Sequence, residues 1–266
     1  MSRSVFDRYA LYQRAVQQPD ADLNFMTRVF KRRFGRPPRD LREDFCAAAF
    51  TACHWVRRHK QNRAWGVDLD PEPLAWGREH NVALLGPEGS ERRSRLELVQ
   101  GDVLARGVVP PVDVILAQNF SYFIFKTRDL LRRYFAAARE GLKGEGLLVL
   151  DLFGGPEAQK MGEERTKHRG FTYVWDQARY DAITNEILCH IHFEFPDGKK
   201  RRKVFSYDWR LWTIQEVREL LAEAGFSASE AYWEGTTAEG EGNGVYTRRD
   251  QAENEDSWLA YVVGVR

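Results

Sequence analysis

The sequence predicts an α/β domain: a doubly wound, mostly parallel seven-stranded sheet with an antiparallel closing strand, a helical segment ahead of it and an antiparallel insertion within it. Three observations carry this. Between residues 39 and 155, apolar strand-like tracts alternate five times with amphipathic helical tracts, the pattern of a parallel sheet covered on both faces. From residue 171 the pattern changes to aromatic and β-branched tracts joined by a turn signal. Beyond residue 213 one more helix is followed by two further strand tracts.

The elements follow in order. Val5, Tyr9, Tyr12 and Val16 recur at helical spacing. Asp20 and Asp22 then offer start signals for a second helical run, "LNFMTRVFKRRF", which Gly35 and Pro37-Pro38 close. Residues 1–38 are therefore expected to form a helical lid. "LREDFC" reads as the first strand and "AAFTACHWVRRH" as a helix. "AWGVDLD" is the second strand, and Pro71 suits the first turn of the helix after it. "RLELVQGD" is the third strand. "VDVILAQNF" is nearly all apolar, as a strand buried on both faces requires. After the helix "TRDLLRRYFAAAREGL", "GLLVLDLFGG" is the fifth strand, and the crossovers are expected to be right-handed.

Residues 157–212 are expected to form the antiparallel insertion, with "PDGK" turning between its last two strands. Thr213 and Glu216 make a capping box for the next helix, and Gly225 stops it. "SEAYWEG" and "WLAYVVGVR" close the sheet, with a surface loop at residues 239–244 between them. The core is then residues 39–156 and 213–266, one structural domain.

A chain of 266 residues, 43% hydrophobic, supports a large core. Its 40 basic and 39 acidic residues leave a net charge of +1, which gives no general attraction to nucleic acid or membrane. Cys46, Cys53 and Cys189 are too few and too scattered for a disulfide framework or a zinc site, which suits a reducing compartment. The N-terminal stretch lacks the apolar run of a signal peptide, and no tract is long enough to span a bilayer. A cytoplasmic protein is expected.

Ligands of an open parallel sheet bind beyond the carboxyl ends of its strands. Two acids stand there. Asp68 ends the second strand, about 20 residues past the first turn, where a carboxylate can accept bonds from both hydroxyls of a ribose. Asp102 ends the third strand and can accept from an exocyclic amine. Each also reads as a plain helix-cap or turn acid.

The series "LREDFC…GVDLDP…GDVL…DVILAQNFSY…GLLVLDLFGG" resembles the class I S-adenosylmethionine-dependent methyltransferases, whose fold is Rossmann-like. The resemblance covers about residues 39–155. It implies S-adenosyl-L-methionine as cofactor. The acid of the family's first motif falls on Glu43, and its three glycines fall on Phe45, Ala47 and Ala49. On this mapping Arg42, Glu43, Phe45, Cys46 and Ala47 surround the methionine arm. Asp68 and Leu69 take the ribose, Asp102 and Val103 the adenine, and Asn119 and Phe120 follow the fourth strand. Alanine gives the methionine arm nearly as much room as glycine, provided φ stays negative. The cofactor carries no phosphate to be cradled, so the missing glycines weigh more against a dinucleotide, and hence against a nicotinamide oxidoreductase.

The implied activity is methyl transfer to an oxygen or nitrogen of a small-molecule acceptor by in-line displacement, in a monomer or homodimer. Tyr9, Tyr12, Tyr122, Trp209 and Trp212 are the candidate acceptor residues. His190, His192 and Tyr207 are the candidate bases, and no metal is expected. "CHIHFEF" sets His190, His192 and Glu194 on one strand face, which also reads as an ordinary polar face. Two other functions compete. One is a non-catalytic binding protein that kept the fold and lost the turn. The other is an RNA or protein methyltransferase, for which the basic runs at 31–34 and 199–203 argue.

Overall fold

A computed structural model of the chain describes residues 6–237 and 242–266. Two helices, α1 (Arg8–Val16) and α2 (Pro19–Phe34), precede β1 (Asp40–Asp44), α3 (Phe50–Arg58), β2 (Arg63–Asp68) and α4 (Pro71–His80). β3 (Leu96–Gln100), β4 (Val112–Ala117), α5 (Arg128–Glu140) and β5 (Leu142–Gly154) complete the parallel half. The insertion holds β6 (Gly162–His168), β7 (Phe171–Tyr180), β8 (Glu186–Glu194) and β9 (Lys200–Arg210). α6 (Ile214–Glu223), β10 (Ala228–Thr236), β11 (Gly242–Arg248) and β12 (Trp258–Val265) follow.

The main sheet runs β11-β10-β12-β5-β4-β1-β2-β3. Strands β1 to β5 pair in parallel, and β12 lies antiparallel between β5 and β10. The order reverses beside β1, so a crevice opens where the tips of β1 and β4 diverge. β4 is buried along its whole length. Its Val114 and Leu116 join the core under α2 and α3, while Ile115 and Ala117 join the core under α5 and α6.

Three elements differ from the sequence reading. The sheet has an eighth strand, β11, which takes in residues 242–244 of the expected loop; residues 239–241 lie outside the described residues. β6 is a fourth strand of the insertion. Both are edge strands held by backbone pairing with mostly exposed side chains, so neither writes an apolar period into the sequence. The third difference is α2. Its Leu23, Met26 and Phe30 are fully buried under the main sheet, so it is a core helix and no lid.

Of the two N-terminal helices, α1 is the one that lies toward the strand tips. Leu11, Tyr12 and Val16 pack on Phe171, Ile191 and Phe193 of the insertion. On its other side Arg8 pairs with Glu72, and Asp7 accepts a bond from Trp76 Nε1 at 3.2 Å. α1 thus straps the insertion to α4 across the ends of β1 and β2.

Candidate active site

The turn between β1 and α3 is the centre of the site. Phe45, Ala47 and Ala49 have φ of 54°, 45° and 54°. The proviso of negative φ is therefore not met: all three positions keep the left-handed backbone that suits glycine, at about 1–2 kcal/mol each for a residue with a Cβ. Such strain persists only where surroundings over-determine it, and four contacts do so. Asp68 Oδ2 accepts the Ala47 N–H at 2.7 Å. Asn81 donates to the Ala48 carbonyl at 2.8 Å. Glu43 accepts the Ala52 N–H at 2.8 Å from below. Gly77 of α4 lets that helix ride directly on the Ala48 backbone.

The strain predicts a measurable gain. Ala47 is partly exposed, so removing its methyl loses little packing. Ala47→Gly is expected to stabilise the protein by about 1 kcal/mol and to raise Tm by about 2–4 °C in a calorimetric scan. An unchanged or lower Tm would mean that the left-handed turn is not strained.

Phe45 does not plug the turn. Its ring lies against Phe125 (6.0 Å) and Tyr134 (5.6 Å), on the α5 side of the sheet. It therefore neither closes the pocket nor stands ready to stack on a ligand. Several expected cofactor residues are likewise turned elsewhere. Strand alternation sends Arg42 to the α5 face, buried and paired with Asp44 at 2.5 Å, so it does not reach a cofactor carboxylate. Glu43 is buried and ties the turn to the first turn of α3, so its role is to hold backbone. The Cys46 side chain is buried, its thiol pushed well up by burial, which leaves only its backbone to the site. Leu69 points outward at 70% exposure, and Val103 is buried in the opposite core. Asp102 is exposed and caps its own turn through the Leu104 N–H at 2.9 Å, its second oxygen taking no hydrogen bond among the described residues.

Asp68 is placed as expected. Its two oxygens accept the N–H groups of Ala47 (2.7 Å) and Asp70 (2.9 Å), and each retains lone-pair capacity toward a ligand. Sequence reasoning missed two further acids. Asp151, near the end of β5, accepts the N–H of Asn119 at 2.7 Å and of Phe120 at 3.0 Å, both left-handed residues at φ 57°. Asp22 of α2 accepts the Tyr261 hydroxyl at 2.5 Å. The signal for Asp151 was a carboxylate interrupting the apolar run "LLVLDLF".

Glu43, Asp68 and Asp151 occupy the same sheet face, and Asp22 reaches it from α2; none of the four is ion-paired among the described residues. Burial pushes the Asp22 carboxyl up to about 6, Asp151 to about 7 and Glu43 to about 8, and raises Asp68 in the same direction. Buried acids without cationic partners make a site that gains most from a cation.

Two opposite pH trends follow. The native state holds protons on Glu43 and Asp151 that the unfolded chain releases near pH 4.5 and below. Stability of the free protein is therefore expected to fall as pH rises through 7 to 8. Affinity for a cationic ligand is expected to rise over the same window, by at most about tenfold per pH unit for each titrating group. Thermal scans and calorimetry at pH 6.5 and 8.5 check both, and parallel trends would refute the assignment.

The insertion faces the site through Trp175, Tyr207 and Trp209, with Tyr207 and Trp209 stacked at 4.4 Å. Tyr12 of α1 packs on Phe205 at 5.1 Å, two residues from Tyr207 on the same strand face. Tyr9 packs on Trp76 and Phe205, and Tyr122 is fully buried beside Phe123 and Phe135. Trp212 lines a separate apolar cavity of about 200 Å³ with Phe153, Leu211 and Trp258.

His190 and His192 lie on the opposite face of the insertion, turned from the site, because strand alternation sets them against Tyr207's side. His190 meets Ser206 at 2.8 Å. His192, Asp176 and Glu163 bring potential ligand atoms within 4.8 Å of one another. Yet His192 Nδ1 accepts the Lys203 N–H at 2.8 Å, so Nε2 carries the proton and donates to Asp176 at 3.1 Å. Arg165 and Arg202 also pair with Glu163. That leaves no free imidazole lone pair for a metal, and the pair is no base for the site. The basic run 199–203 is largely spent as well: Lys199, Lys200 and Arg202 pair with Asp197, Glu194 and Glu163.

No protein-family model matches the chain, and no curated protein matches it. Solved structures match nearly end to end. An S-adenosylmethionine-dependent methyltransferase from Clostridium acetobutylicum ATCC 824 is 15% identical, with a TM-score of 0.69 over 96% of each chain. A sugar N-methyltransferase from Streptoalloteichus sp ATCC 53650 is 19% identical, with a TM-score of 0.65 over 100% of this chain and 97% of that one. An amino pentose methyltransferase from Micromonospora echinaspora, solved with S-adenosylmethionine bound, is 17% identical, with a TM-score of 0.64 over 99% of each. At such identities the likeness shows the fold, and the fold is the Rossmann-like one expected from the strand order.

Proposed function

We propose that this chain, built on the class I methyltransferase fold, transfers a methyl group from S-adenosyl-L-methionine to an oxygen or nitrogen of a small molecule. The observation that carries this is the turn: three residues with a Cβ hold the left-handed path at 45, 47 and 49, against their own preference. Strain of this kind collects at ligand-binding turns, and here Asp68, Asn81, Glu43 and Gly77 hold it ready for one.

The residues fit the cofactor. Phe45 is turned aside, Asp68 presents acceptors for the ribose, and the unpaired acids suit a ligand with a sulfonium and an ammonium. Asp102 keeps one oxygen for the adenine. When bound, the cofactor supplies an already activated methyl group, so the protein mainly aligns and excludes water. α1 and the insertion provide that enclosure. Neighbours of the same fold act on sugars and amino sugars, which supports a small-molecule acceptor.

Calorimetry with S-adenosylhomocysteine tests the reading. Saturable binding at one site per chain is expected; no heat and no thermal shift at millimolar ligand would overturn it in favour of the non-catalytic alternative. Pairing within the 199–203 run gives the nucleic-acid alternative no support.

A further inference from the structure

Asp151 stands apart from the other acids of the site in what surrounds it. Its carboxylate is held by the two N–H groups of the left-handed pair Asn119 and Phe120. The same pair sets the Phe120 ring edge-on to Phe153 (4.6 Å) and to Trp209 (6.2 Å). Trp209 stacks on Tyr207, and Tyr12 of α1 packs on Phe205 of the same strand at 5.1 Å. Aromatic rings of β9 thus reach from the turn that holds Asp151 to α1. Asp151, Tyr12, Tyr207 and Phe120 each keep part of their surface accessible, so the space they line can take a ligand.

Such a compartment discriminates by charge. Aromatic faces carry negative potential and attract a cation, and a carboxylate does the same. A neutral hydroxyl can donate one hydrogen bond to the carboxylate but brings no charge to it or to the rings, and an anion is repelled by both. We propose that the methyl acceptor is an amine that enters as its ammonium ion, with Asp151 as counter-ion and the rings of Tyr12, Tyr207 and Phe120 as the walls of its pocket. The word acceptor rests on the methyltransferase reading; the cation preference does not.

Asp151 then has a second task. An ammonium nitrogen has no lone pair to offer an electrophile. One N–H bond must break with its electron pair left on nitrogen, and the proton passes to a carboxylate oxygen of Asp151. The products are a neutral amine and a carboxylic acid, and charge is conserved. A carboxyl raised to about 7 by burial is matched to holding that proton near neutrality.

The test uses the full chain saturated with S-adenosylhomocysteine, titrated with benzylamine and with its neutral isostere benzyl alcohol, by calorimetry or ligand-observed NMR. Benzylamine is expected to bind about 10-fold tighter than the alcohol. Asp151→Asn is expected to bring the two within about 2-fold. Tyr12→Leu, which leaves the carboxylate in place, is expected to weaken benzylamine about 5-fold and the alcohol hardly at all. Equal affinity of the two probes, or a preference that both variants retain, overturns the proposal, as does failure of benzylamine to bind. Should Asp151→Asn fail to fold, Tyr12→Leu decides alone. Discrimination between the probes without any binding of S-adenosylhomocysteine would support the cation pocket and sink the cofactor reading instead.

Discussion

Asp68→Ala is expected to weaken S-adenosylhomocysteine binding about 100-fold. Two hydroxyl donors on one ionised carboxylate are each worth about 1.5 kcal/mol or more, and about 3 kcal/mol is a factor of about 100. The substitution also frees the Ala47 N–H, so part of the loss comes through the turn. Asp68→Asn separates the two contributions. Its carbonyl can still accept the Ala47 N–H or one hydroxyl, so an intermediate loss of about 10-fold is expected. Calorimetry on the folded variants reads both values. An Asp68→Ala affinity within about 3-fold of wild type would remove the ribose role and with it the placement of the cofactor.

Gly77→Ala is expected to destabilise the protein by about 2–3 kcal/mol, although helix propensity alone predicts a gain of about 1 kcal/mol. A Cβ at residue 77 would stand 2.6 Å from the Ala48 carbonyl oxygen and 2.9 Å from its Cα. These are backbone atoms, so no rotamer change relieves the clash. The Ala48 backbone cannot yield easily, because Asn81 holds its carbonyl and Asp68 holds the neighbouring N–H. α4 must move off the turn, and cofactor affinity is expected to fall with stability. Thermal unfolding and S-adenosylhomocysteine titration of the one variant check both effects; a Tm at or above wild type would show that the contact is loose.

Much of the site was legible. Asp68 could be placed from the length of one strand–helix–strand unit, and Tyr12, Tyr207 and Trp209 from spacing and aromatic content. The errors share a cause. Arg42, His190 and His192 were assigned by position along the chain, and each lies on the other face of its strand. A shift of one residue in period-two structure reverses the side chain, and only the neighbouring layers say which face is inside. Asp151 was passed over because an acid in an apolar strand has no meaning until the turn that donates to it is in place.

By itself the sequence determined the alternation of elements, the parallel sheet, and the acid at the tip of β2. These are local and periodic properties, written in the burial pattern of each segment. The tertiary structure alone decided that alanines at 47 and 49 would sit at positive φ, that α2 would be core and α1 the cover, and which acids would share one sheet face without an ion pair among the described residues. The reason is that their determinants are remote: the sign of φ at Ala47 is set by bonds from Asp68 and Asn81, brought to the turn by the folding of β2 and α4 around it.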